Sequence, residues 1–290
     1  MTRLDGRVLV ASDLGRRSDQ AIRDAAALAL SARVPLVACH ALPELFGFRP
    51  LFPHLRELDR AETDRVRELA ARALEEQITR VLEPGSARPE LRLEAGSPHA
   101  VVLEVAAGIA AGVIVLGREP EGGSRSIPER VARHASCPVL TVAERRGRAV
   151  LAATDFSDPA LPAIHWGREE AERRGLPLVV VHAVDLHTSR LELPEIVSQS
   201  LIQRVTETRR GEARARLDEL AGRLGPEVRL ELREGPAVDA ILAVAEAVEA
   251  ELVVIGTRGR TGLARLALGS VAEGVLRRAP CSTLVVRLEA

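Results

Sequence analysis

Two long stretches of this chain repeat one another, and that duplication limits the fold more than any single motif does. Val8-Leu-Val-Ala-Ser12-Asp13 returns as Val150-Leu-Ala-Ala-Thr154-Asp155, and Pro35-Leu-Val-Ala-Cys-His40-Ala41 returns as Pro177-Leu-Val-Val-Val-His182-Ala183. Asp13 and Asp155, like His40 and His182, stand 142 positions apart. Gly96 matches Gly235, and Val113-Ile-Val-Leu-Gly117 matches Leu252-Val-Val-Ile-Gly256, both at a separation of 139. Ser126 to Cys137 then matches Ser270 to Cys281 at 144. Such small drifts in separation are what insertions in connecting loops leave behind after a duplication. The chain of 290 residues therefore reads as two domains, 1–146 and 147–290, meeting near Arg145–Arg148.

Each half alternates strand and helix patterns. In the second half, strands fit at about 149–154, 177–184, 227–233, 251–256 and 282–287, with helices at about 159–174, 194–224, 236–249 and 270–278. The strands are nearly continuous runs of Val, Ile and Leu, as required of a parallel sheet covered on both faces. Ser157-Asp158 followed by Pro159 reads as a cap with proline in the first helical turn. The expected fold is α/β: two tandem open, doubly wound parallel sheets. Each has its site at the carboxyl edge, where the strand order reverses. The arginine- and glutamate-rich stretches 60–81 and 205–224 read as solvated helix faces, because acids interleave with the bases.

The chemistry concentrates in Gly256-Thr-Arg-Gly259-Arg-Thr-Gly-Leu-Ala-Arg-Leu-Ala-Leu-Gly269-Ser270-Val271. It links the apolar run 252–255 to a helical pattern, so a buried strand ends, a glycine-rich loop turns over, and a helix begins. Backbone N–H groups and a helix N-terminus then converge on one point, which suits an anion. All 40 basic residues are arginine, so a lysine-bearing P-loop is excluded and phosphate must be met by amides, hydroxyls and arginine. A formal net charge of −1 offers no basic excess for nucleic acid. No apolar run reaches the length of a membrane span, and the polar start of the chain does not look like a signal peptide. Cys39, Cys137 and Cys281 show no paired spacing, favouring core packing in a reducing cytoplasm over a metal or disulfide framework.

Ala153-Thr154-Asp155-Phe156-Ser157, His182-Ala183-Val184 and Gly256-2x-Gly259-9x-Gly269-Ser270 together resemble the universal stress protein family, in its tandem two-domain form and, in the second half, its ATP-binding branch. The resemblance implies a flavodoxin-like or adenine-nucleotide α-hydrolase-like sheet of five parallel strands per domain. It also implies domains paired through their last strands, here 138–142 and 283–287. It further implies that Asp155 meets the adenosine moiety, with Ala153 and Thr154 lining the pocket and the backbone of Ala183 facing the adenine edge. Ile255 would pack near the base or sugar, Gly256, Arg258 and Gly259 would wrap the ribose and first phosphates, and Gly269, Ser270 and Val271 would hold the distal phosphates. The implied ligand is ATP or another adenine nucleotide, with magnesium accompanying a triphosphate.

The first half departs from that pattern. Only 8 residues separate Gly117 from Ser126, against 13 between Gly256 and Ser270. Glu119 and Glu121 stand where phosphates would lie, and Arg125 replaces the glycine before the serine. The expectation is one competent site per chain, in the second domain, within a non-enzymatic regulatory protein of the stress response. Two alternatives stand beside it: slow ATP hydrolysis or self-phosphorylation at Ser270 or Thr257, and a nucleotide-independent protein-interaction module. The cluster Phe46, Phe48 and Phe52 is a candidate lid or partner patch for the latter. The regulatory partner is unspecified by the sequence, and so is any association into homo-oligomers.

Overall fold

Strands that are apolar along their whole length can only be stabilised by cover on both faces, and the helices between them supply it. The computed structural model describes residues 4, 6–43, 55–84, 86, 88–119, 126–157, 160–184, 199–257 and 268–287. The chain divides into two units, Arg3–Glu144 and Arg145–Ala290. The phenylalanines at 46, 48 and 52 lie outside the described residues.

The first unit runs β1 (Arg7–Ala11), α1 (Arg17–Ala32), β2 (Leu36–Leu42), α2 (Leu55–Val81), β3 (Glu90–Ala95), α3 (Pro98–Gly108), β4 (Ala111–Gly117), α4 (Ile127–His134) and β5 (Val139–Val142). The second repeats it as β6 (Ala149–Ala153), α5 (Leu161–Arg174), β7 (Leu178–Val184), α6 (Gln199–Leu224), β8 (Arg229–Glu234), α7 (Ala237–Ala247), β9 (Ala250–Gly256), α8 (Ser270–Arg278) and β10 (Ser282–Val286). Within the units the strand orders are β3-β2-β1-β4-β5 and β8-β7-β6-β9-β10, and the strand pairs described are parallel. Winding goes one way from the first strand and then the other. A crevice therefore opens beyond the carboxyl ends of β1 and β4, and again beyond those of β6 and β9.

Val8–Val10, Val113–Val115, Val150–Ala152 and Leu252–Val254 are fully buried and form the spine of each sheet. Helix α5 lies so close to β6 that a Cβ on Gly167 would sit 2.9 Å from the Ala152 Cβ. The duplication extends to unusual backbone. Leu14 and Phe156 share φ values of 63° and 61°, and Ala110 and Glu249 share 50° and 49°. Non-glycine residues pay for left-handed conformations, so their recurrence at matched positions marks turns that the surroundings enforce.

The start of α5 differs from the expectation. Its N-cap is Ala160, with αR dihedrals and no side-chain cap, and the proline of its first turn is Pro162. Ser157 stands three residues before that cap, and its N–H and hydroxyl both donate to Asp155 Oδ1.

Candidate functional site

In the second unit the chain leaves β6 through a turn built by its own side chains. Thr154 extends the sheet by one rung, donating N–H to Val181 O at 3.0 Å. Its Oγ1 accepts from Phe156 N at 3.0 Å, and Asp155 Oδ1 accepts from Ser157 N at 3.0 Å. Two consecutive side chains thus mimic backbone turns and hold Phe156 in the left-handed region. This fixes where Asp155 is presented at the sheet edge. Across the edge, His182 Nδ1 lies 2.7 Å from Thr154 O. A carbonyl only accepts, so Nδ1 is the donor in this bond. The imidazole is buried and packs on Phe156, with ring centroids 4.2 Å apart at 43°.

The first unit builds the same turn. Ser12 Oγ accepts from Leu14 N at 2.9 Å, Asp13 Oδ1 accepts from Gly15 N at 2.8 Å, and His40 Nδ1 donates to Ser12 O at 2.8 Å. Both histidines hydrogen-bond backbone. They position the strand-end turn. The three cysteines are buried and form no disulfide.

Pairing brings the remaining candidates alongside. Ala153 lies opposite Val181 and Ala152 opposite Val254, so Thr154 and Asp155 share the sheet edge with Ala183, Ile255 and Gly256. Past β9, Thr257 N donates to Val286 O at 2.8 Å, and Thr257 O accepts from Gly269 N at 2.9 Å. The segment between leaves and returns at a single carbonyl. Arg258 and Gly259 lie in it, outside the described residues. Gly269 is glycine for space and not for conformation: its φ of −66° suits any residue, but a Cβ would meet Thr257 O at 3.0 Å. The N-cap of α8 is Gly269, without a side-chain cap, which makes Ser270 the first helical residue and leaves its hydroxyl out of any capping bond. Ser270, which local sequence alone would make the cap, is therefore not the cap. Val271 follows in the first turn. Among the described residues, no side chain or carbonyl accepts from the amides of Ser270 or Val271.

The matching helix end in the first unit is filled. Ser126 caps α4 by accepting from Glu129 N at 3.3 Å, and Glu119 Oε1 accepts from Ile127 N at 3.1 Å. A carboxylate of the chain itself occupies the positive end of the helix. Below it is a cleft of ≈ 200 Å³ lined by Ala11, Asp13, His40, Val102, Gly117 and Glu119, among others. Glu121 and Arg125 lie outside the described residues.

No group of three or more His, Cys, Asp or Glu among the described residues is arranged to hold a metal ion. No helix among them is long and apolar enough to cross a membrane. Each histidine bonds the carbonyl at the end of the preceding strand. The equal separation of the Asp and His pairs was the only trace of that bond in the sequence.

A model of the universal stress protein family matches residues 6–143 and again 147–287. The chain belongs to the universal stress protein family. A universal stress protein of Mycobacterium tuberculosis H37Rv is 30% identical over 297 residues, covering 97% of this chain and 96% of its own length, so the tandem arrangement is shared. One from Thermus aquaticus is 32% identical over 141 residues, which is 98% of it but 48% of this chain. Half of this tandem universal stress protein thus corresponds to a whole relative. Among solved structures, a universal stress protein of Archaeoglobus fulgidus aligns with a TM-score of 0.60 at 20% identity, covering 97% of this chain and 96% of its own. A functionally unknown protein of Pseudomonas aeruginosa aligns at 0.64 and 19%, covering 98% and 93%. Both likenesses establish the tandem parallel-sheet fold.

Proposed function

We propose that the second half of this universal stress protein binds an adenine nucleotide, ATP foremost, and that the first half does not. The observation that carries this is the contrast between two equivalent helix ends. The first turn of α8 has no side-chain cap, whereas α4 has taken up Glu119 and Ser126. Amides at a helix N-terminus favour an anion.

In this reading the phosphates rest on the amides of Gly269, Ser270 and Val271 and on the Ser270 hydroxyl, with Arg258 and Gly259 closing over them. Asp155, already oriented by Ser157, accepts from ribose hydroxyls. Ala153, Thr154 and Ile255 line the nucleoside pocket, and the Ala183 backbone meets the base edge. Magnesium arrives with the triphosphate and stays on its oxygens. The role is regulatory binding in the cytoplasmic stress response, not turnover. His182 spends Nδ1 on Thr154 O and its ring on Phe156, which makes it a positioning residue and not a base.

Nucleotide released from the denatured purified protein and identified by mass spectrometry tests the reading. An adenine nucleotide is expected from wild type and from Glu119→Ala. Retention of equal nucleotide after Gly259 and Gly269 are both replaced by valine rejects it.

A further inference from the structure

The two long helices of the repeat present different surfaces to equivalent strand ends. Their buried positions align in order, Ala70, Leu74 and Gln77 with Ala213, Leu217 and Leu220, at a separation of 143. That alignment sets Val66, Leu69 and Ala73 of α2 opposite Arg209, Glu212 and Arg216 of α6. In the first unit, Leu14, Val66, Ala71 and Leu91 pack on Leu42, Ala70 and Leu93, with Leu69 exposed at the margin. In the second, the same place is a cleft of ≈ 330 Å³ walled by Arg209, Glu212 and Arg216 on one side and by Asp155, Phe156 and His182 on the other.

Drift toward a solvated helix face would also place arginines on α6, but their partners argue against it. Arg210 pairs with Glu234 at 2.6 Å and Arg214 with Asp218 at 3.3 Å. Arg209 and Arg216 face the cleft instead, and neither has an ion pair or hydrogen bond among the described residues. They stand seven residues apart on one face of the helix, roughly 10 Å along its axis. Glu212 lies between them at the spacing for helical ion pairs, yet joins neither. Two exposed arginines on the wall of a concave site that also holds an aromatic–imidazole pair suit one kind of ligand: an anion carrying a flat apolar portion.

We propose that this cleft is a second ligand site, on the α6 side of the sheet edge, for a small organic phosphate or carboxylate. Arg209 and Arg216 hold the anionic group, and the Phe156–His182 pair receives the apolar part. Asp155 and Ala183 border both this cleft and the pocket assigned to the nucleoside, so the two sites adjoin, but the proposal stands without that assignment.

The test is an NMR titration of the full isotope-labelled chain, following the arginine Nε–Hε signals and the His182 and Phe156 rings. Inorganic pyrophosphate and citrate serve as separate probes for phosphate and carboxylate. The expected result is saturable shifts at Arg209, Arg216 and His182 with a dissociation constant of about 1 mM or tighter for at least one probe. Binding should weaken at least about tenfold in R209Q/R216Q and persist in Gly269→Val. ATP affinity in R209Q/R216Q should stay at the wild-type value. The absence of saturable shifts with both probes overturns the proposal. So do shifts that survive R209Q/R216Q and vanish in Gly269→Val.

Discussion

Replacing Thr154 by valine asks whether the strand-end turn is held by side chains. The two residues have nearly the same shape, so packing is preserved while the Oγ1 acceptor of Phe156 N is lost. A donor left unsatisfied costs about 1–3 kcal/mol, and partial exposure of this amide favours the lower half. The new methyl group, in a residue only 6% exposed, returns at most about 0.8 kcal/mol. Phe156 sits at φ 61°, with no glycine to tolerate it, so the turn has no cheap alternative conformation. The net loss is about 0.2–2 kcal/mol, or roughly 1–6 °C in the melting of a unit of this size. Differential scanning calorimetry on the full chain measures it, and the loss should appear as well in weaker ATP binding, because Asp155 is presented by the same turn. Ser12→Ala supplies an internal comparison. It removes the matching acceptor and a 2.6 Å bond to Gln77, so it should cost the first unit more. A Thr154→Val protein that melts and binds like wild type would refute the reasoning.

Three further outcomes follow from the same geometry. Burial pushes the Glu170 carboxyl up, but hydrogen bonds and charge from Arg173, and then the charge of Arg174, outweigh it and leave it below the usual range. A depressed carboxylate stabilises above its unfolded pKa and loses that stabilisation as pH falls through the folded value. Glu170→Gln should therefore cost about 3–5 kcal/mol at neutral pH, and the gap from wild type should close in acid urea titrations. Removing the internal anion by Glu119→Gln should cost about 0.3–1 kcal/mol, with added sulfate stabilising the variant more than wild type in thermal melts. Burial pushes the Cys39 thiol up to about 12, so peptide mapping after iodoacetamide treatment at pH 8 should find Cys39 unmodified until the protein is unfolded.

The sheet was legible because its strands are apolar throughout and return at fixed separations, which leaves little room for another winding. The observed strand and helix limits fall close to those read from periodicity. The start of α5 was not legible, because Ser157 looks like a cap to any local rule. It is instead claimed by Asp155, whose own role depends on the turn after β6. Ser270 misleads for a related reason: a serine preceding a helix usually caps it, but a glycine stands one residue earlier, pressed against Thr257 O. Glu119 was singled out as an intruder where phosphate would lie, and its carboxylate does meet the helix amide at Ile127. The cleft beside α6 was hidden. Its arginines look like a solvated face until the strand ends and the matching helix of the first unit are placed beside them.

Isothermal titration calorimetry of the full chain with ATP tests the central claim most directly. One equivalent bound per chain is expected, unchanged by Asp13→Ala and abolished when Gly259 and Gly269 are both replaced by valine. Two equivalents per chain, no binding by wild type, or undiminished binding by the double valine variant would contradict it.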